Sequence, residues 1–571
     1  MNYKKTISYV LILLLLMLSI TACSTDNIIK EITDNNTNIE EDIEYQPVDG
    51  GQIVIPLTNL NTLNPLMTEN ITYYYFSKLI FESMFELDND LNISSQLAKD
   101  YNITNEGKTI SIELKRDIKW HDGVDFNAND VAFTINTLKY GKENSSYSNF
   151  FQGSQGSINE ITEVSIIDNY NIDITFNEVS SNNLELITFP IIPQHIFMDT
   201  KDSFAKALDI DNYLPVGTGP YKYVKYEKFK NISLVAFEDY REGKAHITNI
   251  EGKVLEDEKL ILTAFETGQL SIAITTGVDW DKYKSNKRIR TVEYVSNDYE
   301  FLGFNFDKEI FQGESGLAIR KAISYGIDRQ AIIRKIYLGH ASQIDVPIHP
   351  DSWLVSDDAN IYGYSLDKAK DILRMAGWSD ENEDGILEDE NGDKLSLRLL
   401  TNSHNQLRLN TTEMIAEDLR KIGFDIIKDY QPKFVDSPSQ DQIMEQWDNI
   451  NTNLAEGNFD LIVLGWEMSF MPDLSFMFLS SENQDGSNFI RYKNETMDEL
   501  LLNAYKSRNR EMKRESYIKL QELIVEDIPY LSLFYKNRAL LVDSKIKGDL
   551  NPMFLNPYNG LKDCFIPENL Q

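Results

Sequence analysis

Strand-like runs alternate with amphipathic helices along this chain of 571 residues, and that alternation limits the folds open to it. One helical pattern begins at Ser365 and ends at Gly377. A second pattern ends at Gly423 and passes at once into the strand-like run 424–427. Helices commonly end at a glycine, and helices that lead directly into strands are typical of α/β units. The sequence therefore predicts a mixed α/β fold.

The predicted strands are short and rich in β-branched or aromatic residues. They cover 52–56, 109–114, 164–167, 172–176, 394–400 and 459–464. Hydrophobic residues make up 42% of the chain, which is enough for a sizeable core and argues against general disorder. No repeat of fixed length is visible, so neither a solenoid nor a propeller is expected.

The first residues have the order of a secretory signal. Lys4 and Lys5 precede the apolar run 10–18, which is shorter than the ~20 residues that a membrane-spanning helix needs. Residues 20–23, Ile-Thr-Ala-Cys, resemble the bacterial lipobox, in which the signal is cut before a cysteine that is then acylated. The alternative is a simple signal peptide followed by an incidental cysteine.

On this pattern we expect residues 1–22 to be a lipoprotein signal peptide and Cys23 to carry the lipid. Residues 23–47 are polar and lack periodic apolar positions, so they are expected to form a flexible tether. No later stretch is long and apolar enough to span a bilayer, and membrane attachment is expected through the lipid anchor only.

The chain carries 90 Asp and Glu residues against 55 Lys and Arg residues, a formal net charge of −35. An acidic surface repels phosphate backbones, so no nucleic-acid partner is expected. The two cysteines, Cys23 and Cys564, lie at opposite ends of the chain and provide no disulfide framework. Cys564 is expected to be a structural thiol.

The sequence shows no catalytic constellation. Its six histidines include no pair at the i, i+4 spacing of a zinc site, and it has no G-x-S-x-G nucleophile motif. Residues 217–220, Gly-Thr-Gly-Pro, resemble a phosphate loop only faintly, because the proline removes a donor, and they are interpreted as a turn. His121 and Asp122 are likewise assigned to a turn rather than to a catalytic pair. We expect no cofactor.

An acidic segment has part of the pattern of a calcium loop. Asp380, Asn382 and Asp384 place oxygen side chains at alternate positions before the turn residue Gly385. Asn391 stands at the twelfth position, where a bidentate Glu should complete the coordination. Weak calcium binding and an exposed acidic hairpin loop are both open at this point.

Residues 114–133, LKRDIKWHDGVDFNANDVAF, closely resemble the signature of the family 5 solute-binding proteins, the extracytoplasmic receptors of oligopeptide, dipeptide and nickel ABC importers. Further stretches resemble that family in order and spacing, namely 215–221, 304–306 with 319–329, 459–466, and 527–534. Asn129 or Asp130 is expected to cap the helix that follows the signature, and the motif is interpreted as scaffold rather than as an active site.

The resemblance implies an α/β, periplasmic-binding-protein-like clamshell of two lobes with an extra inserted subdomain, of the class II, cluster C type. On that pattern lobe one covers 48–300, including the inserted subdomain at about 88–205. Lobe two covers 301–529, and 530–571 returns to lobe one. The two lobes are expected to close on a ligand held between them.

The function that the resemblance implies is an oligopeptide receptor of an ABC importer, most similar to the lipoproteins of Gram-positive bacteria. Such a protein is not an enzyme. It is expected to act as a monomer on the extracytoplasmic face of the cell membrane and to deliver its peptide to permease and ATPase subunits. Two alternatives stay open, a receptor of the same fold for a nickel chelate or another small solute, and a lipid-anchored surface hydrolase.

In peptide receptors of this family an acid three residues beyond a tryptophan usually holds the ligand's ammonium group. Here the tryptophan is Trp466 and the third residue beyond it is Ser469, so Glu467 or Asp473 is expected to substitute. Trp466 is either a stacking wall of the site or part of the core.

Three more residues complete the candidate site. Tyr74 belongs to the run 73–75, whose three tyrosines cannot all face inward from one helix. Asn305 either contacts ligand or shapes the crossing between lobes, and His404 either contacts ligand or belongs to a surface loop.

Overall fold

The computed structural model of the chain describes residues 45–141, 158–198, 202–356, 362–429, 438–483 and 487–571. The expected signal peptide, Cys23 and all of the expected tether before Tyr45 lie outside the described residues.

The strands of the described residues, in chain order, are β1 Gly50–Thr58, β2 Phe85–Leu87, β3 Ile93–Ser95, β4 Ala98–Thr104, β5 Thr109–Leu114, β6 Ile161–Asp168, β7 Asn171–Phe176, β8 Tyr221–Glu227, β9 Asn231–Ala236, β10 Ile247–Leu255, β11 Ile272–Thr275, β12 Ile289–Phe304, β13 Ala341–Ser342, β14 Ser396–Thr401, β15 Asp425–Asp429, β16 Leu461–Glu467 and β17 Tyr530–Asp543.

The α-helices of the described residues are α1 Ile71–Ser77, α2 Ala128–Tyr140, α3 Ser203–Ala207, α4 Glu258–Glu266, α5 Gly313–Gly326, α6 Arg329–Ile336, α7 Leu366–Met375, α8 Gln406–Lys421, α9 Gln440–Glu456, α10 Ser475–Phe478, α11 Glu495–Tyr505 and α12 Arg510–Asp527.

Three larger sheets organise these elements. One has the order β1-β10-β9-β8, a second has the order β4-β5-β7-β6, and the third runs β11-β17-β12-β16-β14-β15 with β13 on β17. Strands β14, β15 and β16 pair in parallel, whereas β12 is antiparallel to both β16 and β17. Parallel pairs need helical crossovers, which α8 and α9 supply beside strands β14 to β16.

The buried side chains separate into distinct cores, which define two lobes. One core is built from 53–272 and from 540–566, with Met471 as an outlier. Two others lie almost wholly within 299–535. The fold is therefore mixed α/β and two-lobed, as the sequence predicts. The second sheet, β4 to β7, packs with the first core, and the predicted boundary at 300/301 falls inside β12.

Strands β12 and β17 are the long elements that belong to both lobes. They pair from Ile289 with Asp543 at one end to Gly303 with Tyr530 at the other. On its other edge β17 pairs with β11 through residues 539–542, and on its other edge β12 pairs with β16 through residues 298–304. The backbone hydrogen bonds of one antiparallel pair thus pass from lobe to lobe.

Most of the elements predicted from local pattern are present. Strand β5 has the predicted bounds, and β1, β6, β7 and β14 overlap the predicted runs. Ser365 caps α7, since its side chain accepts a hydrogen bond from Lys368 N. Gly377 and Gly423 follow α7 and α8 with φ of 90° and 98°, a conformation that favours glycine.

The signature segment builds the start of α2, although its cap differs from the prediction. Asn127 is the N-cap, and the Asp130 carboxylate accepts a hydrogen bond from Asn127 N in a capping box. Asp130 Oδ2 also accepts from the indole of the fully buried Trp120 at 3.2 Å. The carboxylate thus joins the helix start to the core, which supports the scaffold interpretation.

The 217–220 turn is fixed by His121. Gly217 N donates to His121 Nδ1 at 3.2 Å, and Nε2 lies 2.9 Å from Gly219 O. Burial lowers the pKa of His121 to about 4, so the ring is neutral at pH 7 and Nε2 donates. The His121 ring therefore holds a turn and is not paired with Asp122, whose carboxylate contacts His195 instead.

Among the described residues, no helix is long and apolar enough to cross a membrane.

Gly217 offers a test of this packing. A Cβ at Gly217 would lie 1.8 Å from Ile80 O, a backbone atom that also accepts from Gly219 N. We expect Gly217→Ala to lower the free energy of unfolding by about 3 kcal/mol, because only a backbone shift relieves the clash. Gly363→Ala is the matched control, since nothing lies within 4 Å of its Cβ position. Equal denaturant midpoints for the two variants would contradict the described packing.

Candidate functional site

A cavity lies where the crossing strands meet the segment after β16. Its walls come from both lobes: Leu91 from lobe one, the loop 347–353, the segment 468–474, and Tyr517 of α12. Asn297 of β12, Tyr535 of β17 and Phe554 also line it.

Two of the predicted site residues, Ser469 and Asp473, line this cavity. Asp473 is 8% exposed and is the only acidic residue among the described lining residues. Its Oδ1 accepts from Ser475 N at 2.9 Å. The Ser469 hydroxyl accepts from Met471 N at 3.1 Å. Both polar side chains thus hold the local turn while they face the cavity.

Glu467 and Tyr74 lie outside the lining of this cavity. Glu467 is exposed at the end of β16, in register with Asp298 of β12. Its charge helps to raise the pKa of Tyr75, although burial is the main cause. Tyr74 is half-buried, with its ring 5.8 Å from that of Tyr75 and 4.9 Å from Lys78 Nζ. Of the α1 tyrosines, Tyr75 is therefore the one close enough to the end of β16 to be affected by the Glu467 charge.

Trp466 packs within an aromatic cluster. Its ring lies 5.3 Å from Phe476, 5.8 Å from Phe489 and 6.4 Å from Phe301. Phe301 in turn stacks on Tyr530 at 4.1 Å. Trp466 is partly exposed and does not belong to the cavity lining, which in this segment begins two residues further on at Met468.

Asn305 and His404 lie apart from the cavity. Asn305 is fully buried, donates to Gly457 O and Phe459 O, and accepts from Asp307 N, so its hydrogen-bonding groups are used inside lobe two. His404 Nδ1 lies 2.9 Å from Gln446 Oε1 of α9. Partial burial lowers the pKa of His404.

Sequence reasoning missed a group of buried charges beside the cavity. Glu300 of β12, 1% exposed, accepts two 2.8 Å hydrogen bonds from Arg408, and Lys536 Nζ lies 2.9 Å from its Oε1. Burial alone would raise the pKa of Glu300, but the two cations hold it below its usual value. Asn402 Oδ1 accepts from Arg408 Nη1 at 2.8 Å. The only signal in the sequence was that Glu300 is a lone acid within the otherwise apolar run 299–304, directly before Asn305.

His349 was also missed. Its ring lines the cavity, 5.3 Å from the Tyr535 ring and 5.1 Å from the Phe554 ring. Burial lowers the pKa of His349 to about 4, so the imidazole is neutral at pH 7. It sits in a loop without periodic pattern, and only tertiary packing brings it to the site.

The acidic loop at 380–391 uses its oxygens for its own backbone. Asp380 accepts from Asp384 N and Gly385 N, and Asn382 Oδ1 accepts from Asp384 N. Lys394 Nζ pairs with the Asp384 carboxylate. Within the described ranges, no group of three or more His, Cys, Asp or Glu side chains is placed to hold a metal ion.

Comparisons with known proteins point to one family. Residues 92–488 match the sequence profile described as bacterial extracellular solute-binding proteins, family 5 Middle. The oligopeptide-binding protein AppA of Bacillus subtilis is 26% identical over 557 residues, 96% of each chain. Its structure in complex with a nonapeptide superposes with a TM-score of 0.59 over 91% of this chain and 100% of that chain.

Relatives with other ligands also match. NikZ of Campylobacter jejuni, solved in complex with Ni(L-His), is 26% identical with a TM-score of 0.59, covering 87% of this chain and 95% of that chain. Heme-binding protein A of Haemophilus influenzae is 22% identical over 86% of this chain and 87% of its own length. These relatives are named as binding proteins or solved with a bound solute, and none of the names is that of an enzyme.

Proposed function

This chain is a member of the bacterial extracellular solute-binding proteins of family 5, and from that premise we propose that it is the oligopeptide receptor of an ABC importer. The observation that carries the proposal is the cavity between the lobes, whose described lining combines one buried carboxylate, that of Asp473, with aromatic and aliphatic walls. A peptide offers the matching groups, a terminal ammonium and side chains of mixed character.

Such a receptor works by closing around its ligand. Both lobes contribute walls to the cavity, so a ligand in it contacts both at once. A ligand that binds the closed form more tightly than the open form shifts the population toward closure by that difference in affinity. Permease and ATPase subunits would then recognise the closed monomer, and no covalent step is needed.

Asp473 is our choice for the acid that holds the peptide ammonium. Ser469 stands where relatives of this type usually have the acid, and its neutral hydroxyl cannot balance a charge. Asp473 lies four residues further on and, like Ser469, lines the same cavity. A buried carboxylate paired with an ammonium gives a charge-assisted hydrogen bond.

The second candidate is a receptor for a nickel chelate. His349 supports it, because a neutral imidazole in the cavity is a possible nickel ligand.

A surface hydrolase has less support. Within the described contacts, the hydroxyls of Ser469 and Ser352 accept from Met471 N and Leu354 N, and neither is bonded to His349.

Binding to the native state tests the peptide proposal. We expect peptides of some length, up to the nonapeptide seen with the Bacillus relative, to raise the free energy of unfolding. At a free ligand concentration about 100 times Kd the gain is about 2.7 kcal/mol. Thermal unfolding with pools of peptides of increasing length measures it, with Ni(L-His) as the alternative ligand. If Ni(L-His) stabilises the protein and no peptide pool does, the peptide proposal is wrong.

The role of Asp473 is tested by Asp473→Asn, which keeps the acceptor for Ser475 N but removes the charge. We expect it to weaken binding of a free-amine peptide by about tenfold to a hundredfold, because an ammonium loses its charged partner. An N-acetylated peptide should bind wild type and variant alike in calorimetry. Glu467→Gln is the matched control, and a larger loss there would transfer the role to Glu467.

We also propose that Cys23 is lipidated and anchors the protein to the extracytoplasmic face of a Gram-positive cell membrane. The support is the lipobox-like sequence at 20–23 and the match to extracellular solute-binding proteins. Several acyl chains make such an anchor durable, since each buried methylene contributes about 0.8 kcal/mol.

The anchor predicts the location of a Cys23→Ser variant. Without the thiol no diacylglycerol can be attached, and we expect most of the protein in the culture medium rather than in the membrane fraction. Immunoblots of both fractions measure the change, with Cys564→Ser as the control that keeps Cys23. Full membrane retention of Cys23→Ser would refute lipid anchoring at this residue.

A further inference from the structure

A second cavity adjoins the first, and Trp353 lines both. One wall is the outer part of the β3 to β5 region, with Ile93, Ile103 and Ile110. The opposite wall is the start of α12, with Arg508, Arg510 and Lys513. The cavity therefore lies between the predicted inserted subdomain and lobe two.

Glu185 lines this cavity and is only 6% exposed. Its Oε1 pairs with Lys513 Nζ at 2.8 Å. The Lys513 ammonium also donates to Asn182 Oδ1 and Ser181 O, so all three of its donors are used. Glu185 Oε2, by contrast, is buried without a hydrogen-bond partner in the part of the chain that the structure describes. A buried carboxylate oxygen in this state needs a donor, which a ligand can supply.

The mouth of the cavity is cationic. Arg508 and Arg510 are both exposed and flank Asn509, the N-cap of α12. The Arg510 guanidinium lies 3.9 Å from the Trp353 ring and is bonded to Asn92. Arg508 has neither contact and lies over Gly107. An ammonium group would be repelled here, whereas a carboxylate would be attracted.

The cavity combines a cationic mouth, a wall of isoleucines and a buried acceptor, Glu185 Oε2. One chemical group matches all three. The carboxyl-terminal residue of a peptide has a main-chain N–H, a side chain and a carboxylate. We propose that the second cavity binds this residue: its carboxylate at Arg508 and Arg510, its side chain on the isoleucine wall, and its N–H at Glu185 Oε2. The inference rests on the proposed peptide function and adds a direction, with the amino end at Asp473 and the carboxyl end at the arginines.

The test compares peptides that differ only at the carboxyl end. Randomised nonapeptides are prepared as free acids and as carboxamides, and their affinities are measured by calorimetry on the full chain. We expect the free acids to bind about tenfold more tightly, because a charged hydrogen-bonding group is lost in the amide. Arg508→Gln should remove that preference without changing the affinity for the amides.

Arg334→Gln is the matched control, since Arg334 is an exposed arginine on α6 that lines neither cavity. A third peptide pool, methylated on the last main-chain nitrogen, tests the donor to Glu185 without altering the protein. We expect it to bind more weakly than the unmethylated acids to wild type and to Arg508→Gln alike.

The outcomes separate the two proposals. If acids and amides bind equally, or if Arg508→Gln keeps the preference, the second cavity does not hold the carboxyl end and the peptide function stands. If no pool binds, the peptide function itself fails, and this inference fails with it.

Discussion

The pairing of β12 with β17 is the constraint on which the rest of the structure depends. Both strands belong to both lobes, so each lobe is positioned by the same set of antiparallel hydrogen bonds. The register shifts between Val295 and Tyr299, and again between Glu300 and Phe301. Irregularities of this kind bend a strand and increase its twist. They occur beside Asn297, which lines the first cavity, so the bend and the cavity are parts of one arrangement.

The buried charges beside that bend are costly, and the fold pairs them with opposite charges. Glu300 would be destabilising if it were alone, because a buried carboxylate loses its hydration. Arg408 from α8 and Lys536 from β17 both contact it, and Asp298 pairs with Arg538 on the same two strands. Removing one partner would leave uncompensated charge where the lobes join. The network therefore connects α8 of lobe two to the crossing strands β12 and β17. Charged hydrogen bonds fix this connection in one geometry more specifically than hydrophobic packing alone would.

Local sequence patterns predicted most of the helices and strands of this fold, whereas the contacts between distant residues could be identified only from the structure. The glycine stops at Gly377 and Gly423 and the Ser365 cap depend on nearest neighbours, and so they could be predicted from sequence. The predicted α2 cap, Asn129 or Asp130, was wrong by two or three residues, because Asn127, Asn129 and Asp130 are all competent caps. In the structure Asn127 is the cap, and Asp130 accepts from Asn127 N and from the Trp120 indole. The candidate site shows the same difference between local motifs and tertiary packing. Ser469 and Asp473 came from a sequence motif, but His349 lies in a loop that only packing brings to the cavity.

The contacts between the lobes lie beside the two cavities, which bears on the closure proposed above. Besides the crossing strands, Trp353 N donates to Asp90 O at 2.9 Å, and Lys513 pairs with Glu185 at 2.8 Å. Trp353 lines both cavities, and Lys513 and Glu185 line the second. A ligand that fills either cavity therefore adds contacts at the same places where the lobes already touch. On the proposed function, a ligand would add its own contacts to these in the closed form, so the difference in its affinity for the closed and open forms would set how far it favours closure.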